Sequence, residues 1–193
     1  MTTEIIKEFN WIDIFIVIVI FRTGYIALKK GIQIEAFKFL GTVLAVYLSL
    51  HYYIIAADFL RQNPITQKLP KEFLDLVSFV SLAAIGYVIF LLLRNIFEQF
   101  MKGQAVTNFY KWAGLFCGLM RGYLLCGLII FTFALSGVGY LLNSAKHSYL
   151  GKQIFSVAPH TYDLIRNTVT SKIFTAEKYN QAVAEVQSNF TKQ

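Results

Sequence analysis

The chain has 193 residues, of which 56% are hydrophobic and only 15% are charged, and its formal net charge is +7. A soluble globular domain is about half apolar and about a quarter charged, so this composition excludes that class and predicts an integral membrane protein. The positive charge fits cytoplasmic loops and contact with anionic lipid rather than nucleic acid, because no basic block is combined with base-stacking aromatic residues.

Four apolar runs are long enough to cross a bilayer as helices, which takes about 20 residues each. They are Trp11 to Leu28, Phe37 to Ala57, Leu76 to Leu93 and Trp112 to Leu142. The first run is interrupted by Asp13 and Arg22. The last run is longer than one crossing requires, so its first part is expected to tilt or to lie in the headgroup zone. The predicted fold class is therefore an all-α membrane protein with about four transmembrane helices.

The tail beyond the fourth run is polar enough to leave the membrane. It carries one apolar stripe at spacings of three, four and four residues, formed by Tyr162, Ile165, Val169 and Ile173. This periodicity predicts an amphipathic helix from Tyr162 to Phe174 that lies in the headgroup plane. The expected organisation is a multi-pass transmembrane domain over residues 1–145 and a polar tail over residues 146–193.

The connections between the runs differ in their lysine and arginine content. The first and third connections are rich in these residues, whereas the second, which contains two prolines, is nearly balanced by acidic residues. The positive-inside rule then places connections one and three in the cytoplasm and both termini outside.

The fourth run carries its only charge, Arg121, beside a series of small residues. These recur along one face of a helix and are Gly114, Gly118, Gly122, Ser136 and Gly139. Such a seam lets transmembrane helices approach closely. A charge in the membrane is tolerated where it faces protein or water. We therefore predict that Arg121 points toward another helix and pairs with Glu35.

Two other interpretations of Arg121 are compatible with the sequence. If the crossing begins at Gly122 and ends at Leu142, the arginine is an interfacial residue that snorkels to lipid phosphates. A role in transport is the other alternative.

The first run raises a similar question. Trp11 fits an anchor at the membrane interface, and Asp13 an interfacial or capping residue. Arg22 lies eleven residues further on, about 16 Å along a helix. It is therefore expected to face protein or water, or to accompany a helix break near Thr23 and Gly24.

Two sequence blocks resemble the colicin V production protein family. NWIDIFIVIVIFRTGYIALKKGIQIEAFKFLG matches the family's tryptophan-x-aspartate and its glycine followed four residues later by glutamate, here Trp11, Asp13, Gly31 and Glu35. KWAGLFCGLMRG matches glycine-x-x-x-glycine-x-x-arginine-glycine, here Gly114, Gly118, Arg121 and Gly122. HSYLGKQI is similar to a serine-x-leucine patch of the family, here Ser148 and Leu150.

The resemblance implies a multi-pass protein of the bacterial inner membrane that supports toxin (bacteriocin) production. The chain departs from the family at Tyr110, where an acidic residue often precedes the basic one. The expected function is an accessory or scaffold protein in toxin biosynthesis or export and in envelope function. The alternative is a small transporter or channel subunit that oligomerises around Arg22 and Arg121.

The sequence shows no pattern typical of catalysis or cofactor binding. The three histidines lack metal-ligand spacing, and Walker, Rossmann and G-x-S-x-G patterns are absent. We therefore expect no enzyme activity, no cofactor and no metal. The expected partners are the lipid bilayer, a second copy of the chain or another membrane protein, and not nucleic acid.

Overall fold

The computed structural model describes residues 10–100, 108–170 and 179–191, which contain helices and no strand. The helices are α1 (Trp11–Arg61), α2 (Lys71–Phe100), α3 (Asn108–Leu135), α4 (Gly139–Lys146), α5 (Tyr149–Phe155), α6 (Val157–Ile165) and α7 (Gln181–Thr191). A 3₁₀ turn at Thr66–Lys68 joins α1 to α2, and a π-helical turn at Arg166–Thr170 follows α6. The predicted all-α class is confirmed.

Helix α1 contains both the first and the second predicted run. Its one interior break is at Gly31, with φ 76° and ψ 171°, a conformation that residues with a side chain rarely adopt. The sequence predicted a connecting segment between these runs, but helical geometry continues on both sides of this one glycine. We call residues 11–30 the first arm and residues 32–61 the second arm.

The contacts of α3 show that the chain reverses at Gly31. At one end of α3, a Cβ placed on Gly114 would lie 2.8 Å from the carbonyl carbon of Gly31. At the other end, Trp11 of the first arm packs against Phe133. Tyr53 of the second arm reaches that same end, because it contacts Phe79, which stacks on Phe131. Both arms therefore run alongside α3 from the bend to the same far end.

Helix α2 packs on the second arm through small residues. A Cβ on Gly86 would lie 2.8 Å from Ala45 Cα, and one on Gly41 would lie 2.8 Å from Phe90 Cβ. Three helices, α1, α2 and α3, are long and apolar enough to cross a membrane. Because α1 is folded back at Gly31, its two arms together with α2 and α3 correspond to the four predicted runs, and the four crossings stay a prediction.

The fourth predicted run ends earlier than expected. Helix α3 stops at Leu135, and Gly137 follows with φ 66°, a conformation that does not continue a helix. The prediction of a run to Leu142 was wrong. The predicted seam likewise stops before Ser136 and Gly139, because the chain turns there and starts the separate helix α4.

The tail contributes to the core of the bundle. Ala158 and Tyr162 are fully buried. A Cβ on Gly127 of α3 would lie 3.2 Å from Ala158 N. Of the predicted tail stripe, Tyr162 packs on the bundle, Val169 is exposed and Ile173 lies outside the described residues. The division between residues 1–145 and 146–193 stays a prediction.

Candidate functional site: a buried ion cluster beside a glycine seam

The glycines of α3 lie against the first arm. Cβ atoms on Gly118 and Gly122 would collide with Ala27 Cβ and Thr23 Oγ1 respectively. All three seam glycines, the third being Gly114, are buried. In the described structure, the glycine seam (Gly114, Gly118, Gly122) is therefore occupied by the chain's own first arm.

Three charged side chains meet beside this seam. Lys38 Nζ donates to Glu35 Oε1 at 2.6 Å, and Arg121 Nη2 lies 3.2 Å from Glu35 Oε2. Glu35 is fully buried, and Lys38 and Arg121 are only 6% and 4% exposed. The predicted contact between Arg121 and Glu35 is present, and Lys38 joins it to form a buried ion cluster.

Helix direction explains how Arg121 reaches Glu35. The glycine contacts place Arg121 level with Thr23, halfway along the first arm, whereas Glu35 is only four residues past the bend. A helical side chain tilts toward its own N-terminus, which in α3 is the bend end. The guanidinium therefore extends from the middle of α3 toward the bend, where the carboxylate lies.

The ion cluster is not fully satisfied. Glu35 Oε2 and Arg121 Nε are buried without a hydrogen bond among the described residues, so the contact between these two residues is mainly electrostatic. Two basic side chains share one carboxylate, so the cluster formed by these described residues has one basic group more than acidic groups. Charged groups inside a membrane protein are costly, and they commonly mark either a packing lock or a functional pathway.

The interpretation of Arg121 as a lipid-snorkelling flank is not compatible with the end of α3. The stretch from Gly122 to Leu135 is only about 20 Å of helix, too short for a hydrocarbon layer of about 30 Å. The helix must therefore use residues before Arg121 to cross. Arg121 is also buried within the bundle, so it faces protein and not lipid.

Asp13 forms a second buried polar site at the opposite end of the bundle. Its Oδ1 accepts hydrogen bonds from Ser148 Oγ and Leu150 N, each at 2.7 Å, and its Oδ2 accepts from Asn10 N at 2.7 Å. Ser148 Oγ in turn caps α5 by accepting from Gly151 N. Asp13 is thus a capping residue that also fastens the tail to the start of α1.

Trp11 lies at the rim of this end, 40% exposed, with its ring stacked on Tyr140. Its exposure and position fit the predicted interface anchor, which stays a prediction.

Arg22 is the predicted site residue that the structure does not join to any other. It is exposed, and it forms no hydrogen bond or ion pair with another described residue. The alternative of a helix break near Thr23 and Gly24 was wrong: Thr23 Oγ1 bonds to the carbonyls of Val19 and Ile20, and the break occurs at Gly31 instead.

Sequence reasoning missed two members of these sites. Lys38 was not predicted as a site residue, although its position three residues after Glu35 on a helix is a pairing signal. Ser148 was noted only through the resemblance, and nothing in its local sequence indicates a contact with Asp13. No group of three or more histidine, cysteine or acidic residues in the described ranges is arranged to hold a metal ion.

Long apolar helices around a buried ion cluster define a multi-span α-helical membrane protein. The chain belongs to the colicin V production protein family, whose family model matches residues 12–159. The resemblance drawn from the sequence motifs is thereby confirmed, and the match includes Asp13, Glu35 and Arg121. Neither the curated proteins nor the solved structures contain a match to the chain.

Proposed function

We propose that this protein is an accessory or scaffold protein of the bacterial inner membrane that supports toxin (bacteriocin) production or export and envelope function. The family match supports the link to toxin production. The observation that supports the scaffold role is that the glycine seam and Arg121 both contact other helical segments of this same chain.

These contacts favour a rigid protein over one whose helices move relative to each other. The seam glycines approach the first arm so closely that even a methyl group does not fit at Gly118. The ion cluster ties the second arm to α3 on the same side of the bundle. Interfaces of this kind fix the relative position of helices, which suits a protein that holds partners in place.

The scaffold role is tested in a strain that secretes a bacteriocin. Deletion of the protein is expected to lower toxin release while the toxin gene is still transcribed, and wild-type protein supplied in trans restores release. The Arg121→Gln variant should restore less, in proportion to its folded amount. Unchanged toxin release in the deletion strain would remove the proposed role in production and export.

The second candidate is a small transporter or channel subunit. It is favoured by the excess of basic over acidic groups in the ion cluster, because ionisable residues in a membrane often mark ion or proton pathways. Reconstituted protein that moves protons or small solutes across liposomes, with loss of flux in Lys38→Gln, would favour this candidate. Silent liposomes together with a co-purifying membrane protein favour the scaffold.

A further inference from the structure

Arg22 lies on a continuous exposed face of the first arm. Ile18, Arg22, Tyr25 and Lys29 follow one another at helical spacing, and all four are exposed. The Lys29 ammonium sits 4.4 Å from the centre of the Tyr25 ring. We call these four residues the Arg22 face.

Because Arg22 lies far from both ends of the first arm, exposing its charge to the hydrocarbon layer costs free energy. It lies eleven residues, or about 16 Å, from Trp11, and nine residues, or about 14 Å, from the bend at Gly31. The first arm therefore holds Arg22 near its middle, and a hydrocarbon layer of about 30 Å has its centre there. An arginine side chain is shorter than either distance, so snorkelling alone leaves the charge in the apolar layer.

Among the residues that the structure describes, no carboxylate pairs with this cation. Glu35 is the only acidic residue between Asp13 and Asp58, and it is fully buried in the ion cluster. Helix α3 contains no acidic residue at all. The acidic residues of α2 lie near its two ends, Glu72 and Asp75 at one and Glu98 at the other. The long helices of a second copy therefore place no acid at the depth of Arg22, and lipid phosphates lie at the headgroups, about 15 Å from the centre.

We propose that the Arg22 face is a docking surface for a transmembrane helix of another protein that carries an aspartate or glutamate near mid-membrane. The opposite charge makes such a helix the complementary occupant, because a pair between arginine and carboxylate removes the cost of an isolated charge in lipid. Tyr25 and Ile18 provide apolar contact on either side. This inference deepens the proposed scaffold function and rests on it, since it names the kind of partner that is held.

The test uses the full-length protein and a defined probe. The probe is a labelled polyleucine transmembrane peptide with a single central glutamate, and the matched peptide has glutamine there. Association with the protein is measured by energy transfer in phosphatidylcholine vesicles. We expect the glutamate peptide to bind at least roughly tenfold more tightly than the glutamine peptide, and Arg22→Gln to abolish this difference.

Controls separate the pair from general charge and from misfolding. Lys30→Gln removes a neighbouring exposed cation that is not part of the Arg22 face and should leave the difference intact, and Arg22→Lys should retain part of it. Both residues are exposed, so the thermal unfolding of each variant should match the wild type. Equal binding of the two peptides by the wild type would overturn the proposal.

Lipid is the competing source of negative charge. Replacing part of the phosphatidylcholine by phosphatidylglycerol should leave the preference for glutamate in place. If the anionic lipid eliminates the preference, Arg22 binds lipid phosphate and the proposal is wrong. Normal toxin release after deletion of the protein, combined with Arg22-dependent peptide binding, would instead reject the role in toxin production and leave the docking surface standing.

Discussion

Two arginines at the same depth have opposite environments. Gly122, next to Arg121, packs against Thr23, next to Arg22, so the two charges lie near one level of the bundle. Arg121 turns inward to Glu35 and is 4% exposed, whereas Arg22 faces outward. The rotation of each helix about its axis therefore decides which charge stabilises the fold and which is available to a partner.

Replacing the members of the ion cluster should reveal energetic coupling. Glu35→Gln is expected to lower stability more than Arg121→Gln, because it leaves two buried cations without their carboxylate. Breaking a fully buried pair typically costs about 3–5 kcal/mol. The double variant should be more stable than the sum of the single losses, as measured by folded yield and thermal unfolding in detergent.

The exposed Lys111 provides the matched control, since Lys111→Gln should leave yield and unfolding unchanged. Strict additivity of the two single losses would show that Arg121 and Glu35 contribute independently despite their contact.

Removing the carboxylate of Asp13 should loosen the tail. Asp13→Ala leaves Ser148 Oγ and Leu150 N without their buried acceptor, and an unsatisfied buried group typically costs about 1–3 kcal/mol. We expect a lower unfolding temperature and faster trypsin cleavage after the exposed Lys152.

Asp58→Ala is the control for this substitution, because Asp58 is exposed and its pair with Arg61 lies at the surface. Cleavage of Asp13→Ala at the wild-type rate would mean that other contacts, such as the packing of Ala158, hold the tail alone.

Among the helices that meet at a glycine in the described structure, the first arm and α3 approach each other most closely. A glycine is required at Gly118 because the facing residue, Ala27, leaves no room for another methyl group. The bend at Gly31 turns the chain back within a single residue, so the second arm also packs along α3.

Moving one methyl group from Ala27 to position 118 across this interface should restore the stability that a single substitution removes. Gly118→Ala forces the helices apart and should cost about 1–3 kcal/mol, as overpacking usually does. Adding Ala27→Gly returns the space and should recover most of the loss in thermal unfolding.

Gly139→Ala should have no comparable effect, because no atom lies within 4 Å of a Cβ at that position. A double variant as unstable as Gly118→Ala alone would mean that the interface adapts by shifting rather than by filling space.

The whole molecule has its bend at one end and Trp11, Arg61, Lys71 and Leu135 at the other. With the predicted four crossings, the start of α1 and the end of α3 are expected on the same side of the membrane. The distribution of lysine and arginine among the connections predicts which side of the membrane this is.

Labelling of intact cells should show both termini outside. In a variant with Cys117 and Cys126 replaced by alanine, a cysteine at Ser188 of the tail should react with an impermeant maleimide. A cysteine at Lys29, beside the bend, should be protected until the cells are opened. The reverse pattern would invert the orientation but leave the fold intact.

The sequence by itself determined the class, the positions of the long apolar segments and the central charge pair. Hydropathy suffices for the first two, because a helix that satisfies its own backbone is the simplest apolar structure in lipid. The glycine spacing and the single acid between the first and second runs were enough to pair Arg121 with Glu35, since small residues and opposite charges act over short, predictable helical geometry.

Only the tertiary structure decided how the remaining residues meet. Asp13 and Ser148 are 135 residues apart, and their contact depends on the tail folding back onto the start of α1. Lys38 joined the ion cluster and Arg22 turned outward because helix rotation follows from the packing of every neighbour at once. A one-residue bend at Gly31 stands where the sequence predicted a longer connecting segment, for the same reason. A local pattern fixes hydrophobicity and periodicity, whereas the path between helices is set by contacts distant in the chain.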